Sequence, residues 1–411
     1  MPKTIVLLGT LDTKGREFAY VKELIEEQGY NTLLIDAGVL GEPAVKPDIT
    51  KDEVAKKAGT TIDYLVAKRD RGLAVDLMSK GAYAIIQELY RNGNIDGIIS
   101  LGGSGGTALA TYAMKALPVG VPKVMVSTMA SGDTKPYVGV KDITMMYSVV
   151  DISGLNRLSS RILANAAGAI CGMVEVGAAK LEATSQEKEK PLIGATMFGV
   201  TTPCVDRVRS ILEENGCEVL VFHATGTGGM AMESLIESGF IDAVADITTT
   251  EWCDELVGGV LSAGKTRLDA AGNAGIPQVV SVGALDMVNF GPIDTVPEQF
   301  KTRNLYKHNV SVTLMRTTPE ENRKLGEIIA DKLNKAKGPV VLFLPLKGVS
   351  ALDKEGMPFY DPQADAMLFK ALRENLKPHV EVRELDCNIN DPEFAEAMAN
   401  TLLQLIKNKS R

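Results

Sequence analysis

Aromatic residues are scarce in this 411-residue sequence, at 5% of the total, and only one is tryptophan. Stacking platforms for single-stranded nucleic acid are correspondingly few. Positive charge is in deficit: 44 Lys and Arg stand against 52 Asp and Glu, a net charge of −8. That excludes the basic footprint of a DNA- or RNA-binding protein. The three histidines, His223, His308 and His379, are too dispersed for a zinc signature, so no metal centre is expected. The five cysteines (Cys171, Cys204, Cys217, Cys253 and Cys387) contain no C-x-x-C pair, and their number is odd. They read as reduced core thiols of a cytoplasmic protein. Long hydrophobic runs are missing. The closest, 163–180, is interrupted by Asn165 and Glu175 and reads as a buried helix, so no membrane association is expected. The first residues, MPKTIVLLGT, pass straight into a strand-like run and lack the apolar core and cleavage site of a secretory signal.

What the sequence does have is an internal repeat. In the first half, Thr4–Gly9 is an apolar run, a helical stretch ends at Gly29, and Asn31–Asp36 is a second apolar run. In the second half, 192–195, a helical stretch ending at Gly216, and 218–222 repeat this spacing. Residues 95–100 then match 241–246, 120–124 match 275–279, and 143–146 match 312–315. Each half closes in a helical segment, 155–176 and 320–335. Short β-branched runs alternating with helical patterns imply a parallel sheet with right-handed crossovers. Fully apolar runs fit strands buried on both faces. The fold class is therefore α/β, with two Rossmann-like open parallel-sheet domains arising from an internal duplication. Residues 1–184 form the first domain, with a helical insertion at about 47–89. Residues 190–411 form the second, with two extra strands at 339–345 and 380–385 and a last helix at 391–407. The polar segment 181–190 is the linker candidate.

In open α/β sheets ligands sit beyond the carboxyl ends of the strands, so the loops there carry the functional reading. After the third strand come Gly102, Gly103, Ser104, Gly105, Gly106 and Thr107, then a helical run. Four glycines permit close backbone approach, the helix start supplies N–H groups, and Ser104 and Thr107 add hydroxyls: a phosphate cradle, or else a tight turn. After the first strand come Gly9, Thr10, Asp12, Thr13 and Lys14. This is not a P-loop, yet Lys14 offers a phosphate a point charge and Asp12 offers Mg²⁺ a water-mediated contact. The alternative is Asp12 as a helix cap beside a solvated lysine. Asp36 closes the second strand, where an acidic residue binds ribose hydroxyls or forms an Asx turn. Thr128, Ser131, Gly132 and Asp133 follow the fourth strand and are expected in the same crevice. The run from Lys68 to Arg71 reads as a solvated charge run, with a cation offered to a ligand as the alternative.

In the second half Thr201, Thr202, Thr225 and Thr227 are candidate substrate contacts. His223 is a candidate acid–base residue, oriented by Glu251 or Asp254, and Asp286 completes the catalytic candidates. A structural histidine and a solvated helix start are the alternatives. The sequence 102–106 fits G-x-S-x-G only inside a glycine run, which favours a cradle over a hydrolase elbow. Neither half has G-x-G-x-x-G at its first strand, which disfavours an NAD-dependent oxidoreductase.

These loops carry a resemblance. The strings GGSGGT (102–107), STMASGD (127–133), PLIGATMFGVTTPC (191–204), HATGTGG (223–229), ELVGGVLSAG (255–264) and DMVNFGP (286–292) resemble a family of uncharacterised bacterial and fungal proteins. That family is related to the ATP-binding N-terminal region of the tomato mosaic virus resistance protein. The resemblance covers nearly the whole chain. It implies two Rossmann-like subdomains, ATP in the first, and self-association with a dimer favoured. On this basis ATP with Mg²⁺ is the expected cofactor; the resemblance implies no reaction, and the two separated glycine-rich and polar loop sets favour an ATP-dependent reaction on a small oxygen-rich metabolite in a cleft between the domains. The alternative is a nucleotide-sensing or scaffold protein without turnover.

Overall fold

The computed structural model describes residues 3–184 and 190–409, which fall into two compact units, 1–188 and 189–411. In unit 1 the order is β1 (Thr4–Gly9), α1 (Leu11–Glu27), β2 (Asn31–Asp36), α2 (Lys51–Lys57), α3 (Ile62–Lys68) and α4 (Arg71–Arg91). It continues with β3 (Gly97–Gly102), α5 (Ser104–Met114), β4 (Lys123–Ser127), α6 (Lys135–Val138), β5 (Thr144–Tyr147) and α7 (Arg157–Thr184). The five strands form one parallel sheet in the order β2-β1-β3-β4-β5. The apolar run of β1 splits by pleat, as a strand buried on both faces must. Ile5 and Leu7 pack with α1 and α7, whereas Val6 and Leu8 pack with α4 and α5. The expected buried helix at 163–180 is part of α7, with Ala166, Ala167, Ile170 and Val174 in the core.

The helical insertion follows from its caps. Thr50 and Glu53 form a reciprocal capping box at α2. Thr61 caps α3 through the Tyr64 N–H, and Asp70 caps α4 through the Leu73 N–H. Arg69 closes α3 in the left-handed region, at φ +51°. These choices fold residues 51–91 into three helices, whose apolar faces share one core cluster with α5 and with residues of β1, β2 and β3.

Unit 2 runs β6 (Leu192–Met197), α8 (Thr202–Glu214), β7 (Glu218–His223), α9 (Thr227–Glu237), β8 (Ala243–Thr248), α10 (Glu251–Val257), α11 (Ala270–Ala274) and β9 (Gln278–Gly283). There follow β10 (Met287–Phe290), β11 (Leu305–Lys307), β12 (Thr313–Arg316), α12 (Pro319–Leu333), β13 (Val340–Pro345), α13 (Pro362–Asn375), β14 (Glu381–Leu385) and α14 (Pro392–Lys409). The main sheet is β14-β13-β9-β8-β6-β7, all parallel. Its β7-β6-β8-β9 portion repeats β2-β1-β3-β4, so the first four matched runs occupy matching places. The fifth does not. The run expected to mirror β5 is β12, which lies in a separate antiparallel sheet, β10-β12-β11. The place beside β9 is taken by β13. Composition marked β12 as a strand but carried no information about its partner.

Of the linker candidate, 181–184 close α7, whereas 185–189 lie outside the described residues. All five cysteines are buried and free. Among the described residues no helix is long and apolar enough to cross a membrane.

Candidate functional site

The carboxyl ends of β1 to β3 open into a cavity of about 680 Å³. Four segments make its walls. Thr10, Asp12, Thr13 and Lys14 come from the start of α1, and Gly103 to Gly106 from the start of α5. The rest comes from the loop after β2 and from the insertion. Two expected loops thus meet at one cavity, of a size typical of small-ligand sites.

No side chain caps α5 and no acid stands in its first turn, so a helix start lined by Gly103, Ser104, Gly105 and Gly106 faces open space. The glycines differ in purpose. A Cβ on Gly103 would meet nothing closer than Thr128 Oγ1 at 3.7 Å, and one on Gly106 nothing closer than Leu101 O at 3.7 Å. Packing does not require glycine at either position. Gly102 is different: a Cβ there would press on Gly106 Cα at 3.0 Å. Gly102 serves strand–helix approach and does not line the cavity. Gly9 is likewise a packing glycine, because a Cβ would fall within 2.0 Å of the Phe18 ring.

Several expected ligand contacts are engaged elsewhere. Asp36 is fully buried and accepts the Leu11 N–H at 3.1 Å and the Gly38 N–H at 2.9 Å. It forms the Asx turn and holds α1 rather than reaching a ribose; burial pushes its carboxyl above the ordinary range. Thr107 is buried and bonds Ser127 Oγ at 2.6 Å, so its hydroxyl faces the core and not a phosphate. Asp12 accepts the Leu40 N–H at 3.0 Å, with Gly38 packed against its carboxylate. Lys14 donates to the Ile152 carbonyl. Thr128 reaches the rim beside Gly103, whereas Ser131, Gly132 and Asp133 are exposed outside the cavity walls.

The insertion supplies what sequence reasoning set aside. Arg69, Asp70 and Arg71, read above as a solvated run, line the cavity. Leu65, Val66, Val75 and Met78 form its apolar side. The missed signal was position: Arg71 is the first residue of α4, where a cation opposes the helix dipole.

Unit 2 corrects most of the catalytic candidates. Glu251 is buried and accepts the Gly226 N–H at 2.7 Å and the Gly229 N–H at 3.0 Å, so it caps α9. Its other oxygen accepts from Arg267 Nε at 2.7 Å. Arg267 is itself buried and forks onto Asp246, with Glu233 alongside. A Cβ on Gly229 would meet the Glu251 carboxylate at 2.1 Å. The glycine-rich 226–229 loop thus admits the protein's own carboxylate, not a ligand phosphate.

Asp254 is buried on the N–H groups of Leu261 and Asn289 and the Asn289 side-chain amide, and burial pushes its carboxyl up to about 7. Asp286 is fully buried and accepts from Ser350 Oγ at 2.7 Å; burial and the neighbouring Asp353 raise its carboxyl. Neither Glu251 nor Asp254 orients His223, which is exposed and packs on the Phe198 ring at 5.6 Å. Thr201 is buried against Thr248 at 2.8 Å, and Thr202 turns back onto the Phe198 carbonyl. Thr225 donates to the His223 carbonyl, and Thr227 is exposed. Among the described residues no group of three or more His, Cys, Asp or Glu side chains is placed to hold a metal ion.

Comparison with known proteins gives a consistent picture. Residues 3–179 match the model of the uncharacterised protein family UPF0261 N-terminal domain, and 190–406 match that of its C-terminal domain. A UPF0261 protein of Clostridium tetani is 60% identical over 408 residues, 99% of this chain and 100% of that one. The ToMV resistance protein Tm-1(GCR237) of Solanum lycopersicum is 49% identical over 346 residues, 83% of this chain and 45% of that protein. Among solved structures, a UDP-N-acetylglucosamine 2-epimerase from Rickettsia bellii aligns over 99% of this chain and 96% of its own at 10% identity and a TM-score of 0.23.

Proposed function

For a chain that belongs to the uncharacterised UPF0261 family, we propose nucleotide binding at the unit 1 cavity, with ATP as the ligand. One observation carries the reading: an uncapped, glycine-rich helix start and the cations Lys14 and Arg71 line one cavity of about 680 Å³ whose remaining wall is largely aliphatic. Backbone N–H groups at a helix start favour an anion, and the missing Cβ atoms of Gly103 and Gly106 leave room for it. One Asp12 oxygen accepts the Leu40 N–H, and the other has no partner although the residue lines the cavity. Magnesium in this reading is carried by the phosphates, with the unpartnered Asp12 oxygen available for a water-mediated contact.

Of the two forms of this reading, nucleotide sensing without turnover has the better support. The groups expected to act chemically, Glu251, Asp254 and Asp286, are buried in hydrogen bonds, and Lys14 is committed to a carbonyl. An ATP-dependent reaction on a small oxygen-rich metabolite is the second form, favoured by the exposed His223 at a strand end. Isothermal titration with MgATP tests the binding itself. Micromolar affinity is expected, and its loss in a variant carrying Gly103→Val and Gly106→Val. No heat with the unmodified protein would end the ATP reading. Steady ATP consumption in the presence of a metabolite pool would select the enzymatic form.

A further inference from the structure

The nucleotide reading assigns an anion to one wall of the cavity, and what the other wall can recognise rests on that reading. The apolar lining includes Leu40, Leu65, Val66, Val75, Met78 and Leu109. Five of the six lie within α3, α4 and α5, where backbone N–H and C=O groups bond one another along the helix. No aromatic ring is among the residues lining the cavity. Leu40 is 84% exposed and Val66 45% exposed, which makes an apolar lip. Such a wall offers a base surface to slide against. It offers few directed donors or acceptors for the edge that distinguishes adenine from guanine or cytosine. A hydrophobic slot discriminates weakly between molecules of similar shape, whereas strong discrimination requires hydrogen-bonding groups left unpaired by the wrong ligand.

The polar wall is the opposite case. The Arg71 guanidinium lies 3.2 Å from the position a Gly105 Cβ would take, against the first turn of α5. It is also the first residue of α4, directly after the cap Asp70. Among the described residues neither Arg69 nor Arg71 forms an ion pair, because Asp70 is turned to the Leu73 N–H. A cation at the positive end of its own helix, leaning on the positive end of a second, is electrostatically unfavourable on its own. An anion between them reverses the sign. Sequence choices that conflict with local rules concentrate at functional sites.

We infer that this cavity selects the polyphosphate and not the base. Nucleoside triphosphates of different bases bind alike, and Arg71 is the residue that ties their phosphates to the helical insertion. Arg71 is exposed and packs into no core, so replacing it removes charge with little consequence for folding.

Titration of the full chain with MgATP, MgGTP, MgCTP, adenosine and tripolyphosphate, repeated on Arg71→Gln and Arg71→Lys, tests this. The three triphosphates are expected within about threefold of one another and adenosine at least about tenfold weaker than ATP. Tripolyphosphate is expected to compete with ATP. Arg71→Gln is expected to weaken all three triphosphates by about tenfold or more, with the ligand-free thermal midpoint unmoved or raised, since the unopposed charge is removed from two helix starts. Arg71→Lys is expected to recover part of the loss as a point charge. ATP binding about tenfold or more tighter than GTP overturns the inference while the nucleotide reading stands, as does unchanged affinity in Arg71→Gln. If no triphosphate binds the unmodified chain, the nucleotide reading fails and the inference with it. The comparison of bases needs no variant, so it decides the matter even if Arg71→Gln fails to fold.

Discussion

At the scale of single residues, the chain separates glycines that serve packing from glycines that leave space. Gly9 and Gly229 are required by the Phe18 ring and the Glu251 carboxylate. Gly106 has no such neighbour, and it sits in the first turn of a helix, where glycine is less favourable than alanine by about 1 kcal/mol. Gly106→Ala is therefore expected to leave the thermal midpoint unchanged or raise it by a few degrees, since about 1 kcal/mol shifts a domain of this size by roughly 2–4 °C. ATP affinity is expected to fall by about tenfold. Differential scanning fluorimetry beside titration checks both; a lowered midpoint would make Gly106 a packing residue after all. Arg267 is the reverse case, a residue to which no role was given on sequence. Its one positive charge is shared by Asp246, Glu251 and Glu233 in a buried cluster. Removing one partner of a buried ionic group strands the others, at about 3–5 kcal/mol. Arg267→Met should destabilise the protein by that amount, measured by urea unfolding. A change below about 1 kcal/mol would mean that water reaches the cluster.

At the scale of elements, the duplicated strand–helix alternation was legible because strands buried on both faces are uniformly apolar and helix ends are marked by glycine. Four strand positions in each half follow from that pattern. The fifth pairing failed at β12, since an apolar run names a strand but not its sheet. Of the candidate site, the loops after β1 and β3 were legible as glycine and hydroxyl clusters. The contribution of α3 and α4 was not, because their charged turn is indistinguishable from a solvated one until Arg71 is placed beside Gly105 and Arg69 on the cavity wall. The unit 2 loops misled for a related reason: buried carboxylates that tie loops and a helix start together have the composition of a catalytic site. Asp254 shows what such a carboxylate does. At the α10–β10 junction it is 1% exposed, and burial raises it from its ordinary value to about 7. The folded state therefore holds a proton that the unfolded chain releases near pH 4. That stabilisation is full below about pH 4 and is lost as pH rises through about 7. The thermal midpoint is expected to fall between pH 5 and pH 8 and the fall to flatten in Asp254→Asn. A slope identical in the variant would assign it to other groups.

At the scale of the molecule, the two units share a strand order but not a use for it. Unit 2 fills the glycine-rich start of α9 with Glu251, whereas unit 1 leaves the corresponding kind of space open at α5. The two helix starts follow non-equivalent strands, β7 in unit 2 and β3 in unit 1, and only the first is occupied from within. This asymmetry makes a sharp demand on where binding resides. Every residue lining the cavity lies between Thr10 and Leu109, and unit 1 has its own closed set of core contacts across β1 to β5. A fragment spanning residues 1–188 is expected to fold alone, as a single hydrophobic core of that length can. It should bind MgATP within about threefold of the full chain, since no lining group is removed. A fragment spanning 189–411 is expected to bind none. Should the first fragment fold, with native circular dichroism and a cooperative melt, yet lose ATP, then groups outside unit 1 complete the site. The enzymatic form of the reading, which needs both domains, would then displace nucleotide sensing as the better account.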